Sequence, residues 1–281
     1  MREIKAAQII EVVEKLCIEA NYVLPCDVRQ ALQYARDTEQ SPLARALLGD
    51  ILKNEELARS SALPICQDTG LTVCFVELGQ DVHIVGGDLN QAVDEGVRGG
   101  YQRGYLRKST VEDPFIAREN RGDNTPAIVH VSIVPGDRIK LICAPKGGGS
   151  ENMSAVAMLT PAAGLPGLQR FVVETVERAG ANSCPPLVVG VGVGGTMEMA
   201  ALIAKKALLR TLGQPNPNPQ VALVEQELLT EINALGIGPQ GLGGSITALA
   251  VHIETFPAHF ASLPVAVNMQ CHVARHKETV I

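Results

Sequence analysis

The sequence predicts a mixed α/β protein of the α+β kind, a helical N-terminal region followed by a mixed β-sheet with helices. Three observations point there. Apolar residues recur at helical spacing in the first quarter, short runs rich in β-branched residues begin after Gly70, and helix and strand patterns alternate through the second half. The chain has 281 residues, 46% hydrophobic and 19% charged with no Trp, which describes a well-packed globular protein. No linker and no internal repeat stand out, so one domain over residues 1–281 is expected.

Ile4, Ile9, Ile10, Val13 and Leu16 share one helical face within residues 3–20, and helical character continues from Asp27 to Tyr34 and from Pro42 to Leu57. Strands are expected at Thr72–Val76 and Val82–Val85, then a helix over Asp88–Arg103. Two more strands, Ala127–Val134 and Arg138–Cys143, are joined by Pro135-Gly136-Asp137, which reads as a hairpin turn. The second half adds a helix near Gly167–Arg178, a strand over Leu187–Val193, a helix from about Thr196 to Arg210, and a strand over Ile246–Ile253. The segments Gln214–Pro219 and Gly236–Gly244 read as loops. Gly190 to Gly195 is glycine-rich, but its spacing is not GxGxxG and no acidic strand end follows about 20 residues on, so dinucleotide binding is not the reading.

Composition excludes several functions. The net charge is −6, with no Lys/Arg block and only four Tyr and five Phe, which gives neither the electrostatic footprint nor the stacking surface of a nucleic-acid binder. No apolar run approaches the roughly 20 residues of a membrane span, and the N-terminus lacks a signal peptide's apolar segment, so a cytoplasmic protein is expected. Seven cysteines without a CxxC pair argue against a disulfide framework and for a reducing compartment.

Three stretches carry chemistry. In Leu63-Pro64-Ile65-Cys66-Gln67-Asp68-Thr69-Gly70 a thiol, an amide, a carboxylate and a hydroxyl stand on consecutive residues. Pro64 stops a helix from entering, and Gly70 permits backbone angles that let the polar groups converge. An ordinary turn is the plain alternative. Lys146-Gly147-Gly148-Gly149-Ser150-Glu151-Asn152 follows a strand, and its glycine amides could line an anion-binding concavity, with a following helix adding its positive end. Cys184, ahead of Pro185-Pro186, and Cys271, at a strand's end before His272, lie beside Pro or polar groups, as Cys66 does. Cys17, Cys26, Cys74 and Cys143 fall in periodic or apolar runs and read as small hydrophobes. Gaps of 118 and 87 residues between the three loop cysteines fix no metal site by spacing.

Taken in order, PICQDTG (64–70), LRKS (106–109), GDNTPA (122–127), KGGGSENMS (146–154), CPPLVVGVGVGGTMEMA (184–200), GPQGLGG (238–244) and HFASLPVAVNMQCH (259–272) resemble the class I fumarate hydratases. The similarity is to the α subunit of two-subunit members, related to the L-tartrate dehydratase α subunit, over nearly the whole chain. It implies a hydro-lyase that reversibly hydrates fumarate to (S)-malate, a tricarboxylic acid cycle reaction, or alternatively acts on L(+)-tartrate. It implies an oxygen-sensitive 4Fe-4S cluster held by Cys66, Cys184 and Cys271 in loops at element ends. It also implies substrate contacts at Gln67, Asp68, Arg107, Gly149 and Asn152, and a His259 that hydrogen-bonds Asp68 in a catalytic pair. The catalytic base, a Thr in this family, is implied to come from a separate β subunit in an α2β2 assembly. Three ligands leave one iron open to act as a Lewis acid, whereas electron carriers generally use four; a non-catalytic iron-sulfur redox or sensor protein is thus the reading of a different class.

Overall fold

The computed structural model describes all 281 residues. In chain order the elements are β1 (Arg2–Lys5), α1 (Ala6–Tyr22), α2 (Cys26–Thr38), α3 (Pro42–Ser61), β2 (Leu71–Gly79), β3 (Val82–Val85), α4 (Leu89–Arg103), β4 (Ile128–Val134), β5 (Ile139–Lys146), α5 (Gly148–Asn152), β6 (Ala155–Leu159), α6 (Gly164–Ala179), β7 (Leu187–Gly194), α7 (Met197–Ala207), α8 (Pro219–Ala234), β8 (Ala248–Phe256), β9 (Leu263–Gln270) and β10 (Lys277–Val280). The mixed α/β class holds, and so does the helical N-terminal region, except that Arg2–Lys5 is a strand pairing in parallel with β3. No helix is long and apolar enough to cross a membrane.

The chain packs as two compact units of interleaved segments, one of residues 1–25, 54–148 and 275–281, the other of 26–53 and 149–274. Because both are assembled from distant stretches, no linker marks their boundary in the sequence.

The first unit holds a sheet of order β10-β5-β2-β4. Here the expected hairpin is corrected: β4 and β5 do not pair, because β2 lies between them, parallel to β4 and antiparallel to β5. Pro135-Gly136-Asp137 crosses the end of β2 instead, with Gly79 donating to the Arg138 carbonyl, Gln80 to that of Val134 and Asp81 to that of Gly136. Central position suits β2, whose residues from Thr72 to Val76 are all buried and need cover on both faces. Helices α1 and α4 cover the sheet, with Ile9, Val13, Leu16, Val93, Val97 and Tyr101 packed against Cys74, Val76, Leu141 and Cys143. Their close approach requires a glycine at position 96, where a Cβ would stand 2.7 Å from that of Val13.

The second unit holds a sheet of order β6-β9-β7-β8. Strand β7, Leu-Val-Val-Gly-Val-Gly-Val-Gly, explains the glycine-rich run. Val189 and Val191 point into the core shared with α6 and α8, while Gly190 and Gly192 face α7. A Cβ at either glycine would collide with the carbonyl of Ala204 or Ala200. The glycines serve helix-on-sheet packing and form no phosphate loop. Helix α8 was hidden in the sequence by the proline-rich segment before it, although Asn218 caps it by accepting from the Gln220 N–H at 3.0 Å and Pro219 opens its first turn. Glu39, fully buried, accepts four backbone N–H groups, from Gln40, Ser41, Ser245 and Ile246, at 2.8–3.1 Å. Burial alone would push its carboxyl up, but these donors more than offset it and hold Glu39 below the usual range.

Candidate active site

In the first unit, strand pairing brings two of the chemical stretches together. The Cys66–Gly70 loop leads into β2 and the glycine loop leaves β5, and antiparallel register sets Leu71 opposite Lys146. The start of one strand therefore lies beside the end of the other. Contact is tight: a Cβ at Gly70, whose φ is +72°, would stand 2.6 Å from the Lys146 carbonyl carbon. Asp68 spans the gap, its Oδ1 accepting the Gly70 N–H at 3.0 Å and its Oδ2 the Gly148 N–H at 2.8 Å. One of the glycine amides expected to receive an anion thus receives the chain's own carboxylate. The helix expected after the loop is the five-residue α5, too short to supply a full dipole.

The backbone of the Cys66–Gly70 loop is pinned from several sides. Tyr101, fully buried, donates to the Thr69 and Gly70 carbonyls, each at 2.8 Å. Asn124 of the GDNTPA stretch, at φ +63°, donates to the Gly70 carbonyl at 3.2 Å and accepts the Ser109 N–H at 2.7 Å, joining three of the sequence motifs at one side chain. Thr69 Oγ1 donates to the Arg107 carbonyl at 3.0 Å, which puts Arg107 beside the loop with its side chain exposed. Arg275 donates through Nη2 to the Asp68 carbonyl. The Asp68 N–H points at Cys66 Sγ, 3.4 Å away, and that sulfur lies 3.3 Å from Gln67 Oε1. Burial pushes the Tyr101 phenol well above its ordinary range, with the positive field of Arg275 pulling the other way.

The second unit repeats the device. The Cys184 loop leads into β7 and Cys271 follows β9, and antiparallel register sets Val188 opposite Gln270. The two cysteine loops are tied directly, since the His272 N–H donates to the Cys184 carbonyl at 3.3 Å and its Nδ1 lies 3.0 Å from the same oxygen. Gln240, from GPQGLGG, donates to the Pro185 carbonyl through both its backbone N–H, at 2.9 Å, and Nε2, at 3.0 Å; the Nε2 also lies 3.2 Å from His272 Nδ1. Cys184 is held at a left-handed φ of +54°. Gly149 lies against the turn before Cys184, with the Asn182 carbonyl 3.3 Å from where its Cβ would be. Glu151 is tied to Lys205 at 2.7 and 2.8 Å and to Asn268 at 3.1 Å, while Asn152 is exposed. His259 is exposed, its Nδ1 accepting the Ala261 N–H at 3.2 Å, and the Asp68 carboxylate accepts from the two glycine amides.

The cysteines divide as the sequence suggests except at Cys26, which was expected as a small buried hydrophobe and is exposed, because it opens α2 right after Pro25. Cys17, Cys74 and Cys143 are buried, with Cys74 Sγ 3.5 Å from Cys143 Sγ. Hydrogen bonding to Cys17 and Cys74, and then burial, push the Cys143 thiol well up, so it is an inert core group. Cys66, Cys184 and Cys271 keep access to solvent, and Cys26 is exposed at the start of α2. No three His, Cys, Asp or Glu side chains gather tightly enough for a single metal ion. A cubane cluster has a different requirement, since its thiolates bind separate irons. Soft thiols at partly exposed loop ends fit such a group. So does Arg275, whose buried Nε and Nη1 have no hydrogen-bond partner, a burden an anionic cofactor would relieve. Tyr101, Asn124, Gln240 and Arg275 were not singled out by the sequence, although Asn124 stands in GDNTPA and Gln240 in GPQGLGG.

Cys66 thus lies in a loop with a fixed carboxylate and a buried guanidinium, and all seven cysteines are free thiols. The chain belongs to the fumarate hydratase family, a family of hydro-lyases: the family model described as "Fumarate hydratase (Fumerase)" matches residues 10–280. It is similar to the protein named "Putative L(+)-tartrate dehydratase subunit alpha" of Methanocaldococcus jannaschii, at 42% identity over 272 residues and 94% of each chain. It is also similar to the L(+)-tartrate dehydratase subunit alpha of Escherichia coli K12, at 32% identity over 266 residues, 94% of this chain and 88% of that one.

Proposed function

We propose that this chain is the α subunit of a cytoplasmic iron-sulfur-dependent hydro-lyase that interconverts (S)-malate and fumarate. The observation that carries the reading is the Asp68 carboxylate, fixed by two glycine amides while its own N–H reaches toward Cys66 Sγ. Cys66, Cys184 and Cys271 would hold a 4Fe-4S cluster, which when bound supplies a Lewis acid for the substrate hydroxyl.

This chain's residues have the remaining work of binding and orientation. Dehydrating malate removes a proton from the carbon beside a carboxylate and a hydroxyl from its neighbour, so both carboxylates need fixed places. Arg107, exposed beside the Asp68 loop, takes one of them as a charge-assisted contact. Gln67, Gly149 and Asn152 supply neutral polar contacts, and Asp68 holds or moves a proton at a carboxylate whose position is set before substrate arrives. His259 is the partner proposed for Asp68. The base that takes the carbon-bound proton is assigned to a β subunit, in an α2β2 assembly.

The names of the similar proteins favour a second substrate, L(+)-tartrate, which carries two carboxylates and a departing hydroxyl in the same way. Anaerobic co-purification of the chain with its partner, followed by assays on malate, fumarate and L(+)-tartrate, separates the readings. Malate–fumarate interconversion outpacing tartrate dehydration is expected. Tartrate turnover alone would transfer the assignment to tartrate, and a brown protein that turns over none would be a non-catalytic iron-sulfur protein.

A further inference from the structure

Arg275 is 5% exposed, yet two of its three guanidinium nitrogens, Nε and Nη1, have no hydrogen-bond partner. The third, Nη2, donates to the Asp68 carbonyl. A buried guanidinium left this way is destabilising unless something of opposite charge completes it. Nothing in its immediate surroundings does so. Its neighbour Tyr101 keeps its proton, since burial raises that phenol, and uses its hydroxyl on the Thr69 and Gly70 carbonyls. The Asp68 carboxylate already accepts Gly70 and Gly148 N–H groups, and no ion pair between Asp68 and Arg275 is formed. The charge is therefore held against the backbone of the Cys66–Gly70 loop and remains unspent.

We propose that Arg275 is a positioning residue of this loop: Nη2 fixes the Asp68 carbonyl, and the remaining positive charge is held for the anionic group that binds at Cys66. The proposal rests on the iron-sulfur reading above. Three thiolates on a 4Fe-4S cluster leave the assembly net negative, and nearby charge is one of the terms that set such a cluster's reduction potential. A fixed cation raises that potential by favouring the more negative, reduced form. Arg rather than Lys suits the task, because one guanidinium can hold the carbonyl while presenting further donors elsewhere.

The test uses the full-length chain as wild type, Arg275→Gln and Arg275→Lys. In the metal-free proteins, amide exchange across Asp68 to Gly70 should be roughly tenfold faster in Arg275→Gln, the effect of losing one charge-assisted hydrogen bond. After anaerobic reconstitution with iron and sulfide, the cluster's reduction potential should fall in Arg275→Gln and return toward wild type in Arg275→Lys. A folded Arg275→Gln protein with unchanged exchange and unchanged potential would overturn the proposal, as would equal shifts in both variants, which would mark a packing role. If Arg275→Gln does not fold, Arg275→Lys decides: a retained potential supports the charge role and a clear drop refutes it. A wild-type chain that takes up no iron would end the iron-sulfur reading and the charge role with it, while the exchange data would still decide whether Arg275 positions the loop.

Discussion

The Asp68 carboxylate accepts the Gly148 N–H at 2.8 Å, joining the loop that enters β2 to the loop that leaves β5. Two stretches 80 residues apart thereby become one structural piece, and the carboxylate's orientation is fixed by backbone alone. A group oriented before substrate binds pays its ordering cost during folding, not during turnover.

Replacing that carboxylate tests the point. In Asp68→Asn the side chain can accept through only one atom, so one glycine N–H loses its partner or faces a donor, at about 1–3 kcal/mol. Anaerobic steady-state kinetics should show kcat reduced roughly ten- to a hundredfold with a smaller change in KM. A change confined to KM would mean that Asp68 only helps bind substrate.

The contact between loop and strand end predicts a stability pattern among glycines. Gly70→Ala combines a positive φ with a Cβ 2.6 Å from backbone, and should lower the unfolding free energy by about 2–4 kcal/mol. Gly49→Ala, within α3 and with nothing inside 4 Å of its Cβ, should instead raise it by about 0.5–1 kcal/mol. Urea titration measures both, and equal effects would contradict the packing described.

Acid sensitivity should trace to His252 in the second unit. It is 3% exposed with Nδ1 against the Ala207 carbonyl at 3.2 Å; burial first, and then the charge of Arg210, push its pKa down to about 4, with Glu225 opposing. The unfolded chain takes up this proton near pH 6.5, so its contribution is fully present above that pH and is lost as pH falls toward 4. The loss amounts to about 3 kcal/mol at most. His252→Gln should flatten the stability curve across that window, and parallel curves for wild type and variant would refute the assignment.

Much of this was legible in the chain. The helical N-terminal region, the strand after Gly70 and the polar loops follow from periodicity and from Pro and Gly placement, which are local signals. The hairpin failed because local turn chemistry at Pro135-Gly136-Asp137 says nothing about a third strand: β2 takes the central place because its buried run needs cover on both faces. Arg275 and Tyr101 were invisible for the same reason, since what distinguishes them is the backbone of residues 68–70, reached only after folding. The cysteine sorting was readable for Cys17, Cys74 and Cys143, which lie inside periodic or apolar runs and are buried, and failed at Cys26, which stands between Pro25 and Asp27 and is exposed.

Arg107→Ala should remove one charge-assisted carboxylate contact, about 1.5–3 kcal/mol, or roughly ten- to a hundredfold in kcat/KM. Its side chain is exposed, so thermal unfolding should barely move. Loss of stability in place of activity would reassign it to a structural role.

The central claim is that Cys66, Cys184 and Cys271 hold one cluster and the other four cysteines do not. Iron and acid-labile sulfide content, measured on anaerobically purified single Cys→Ser variants, tests it most directly. Ser at 66, 184 or 271 should each strip the protein of iron, sulfide and brown absorbance, while Ser at 17, 26, 74 or 143 should leave all three in place in whatever folded protein is recovered. Full iron and sulfide in the first group would contradict the account.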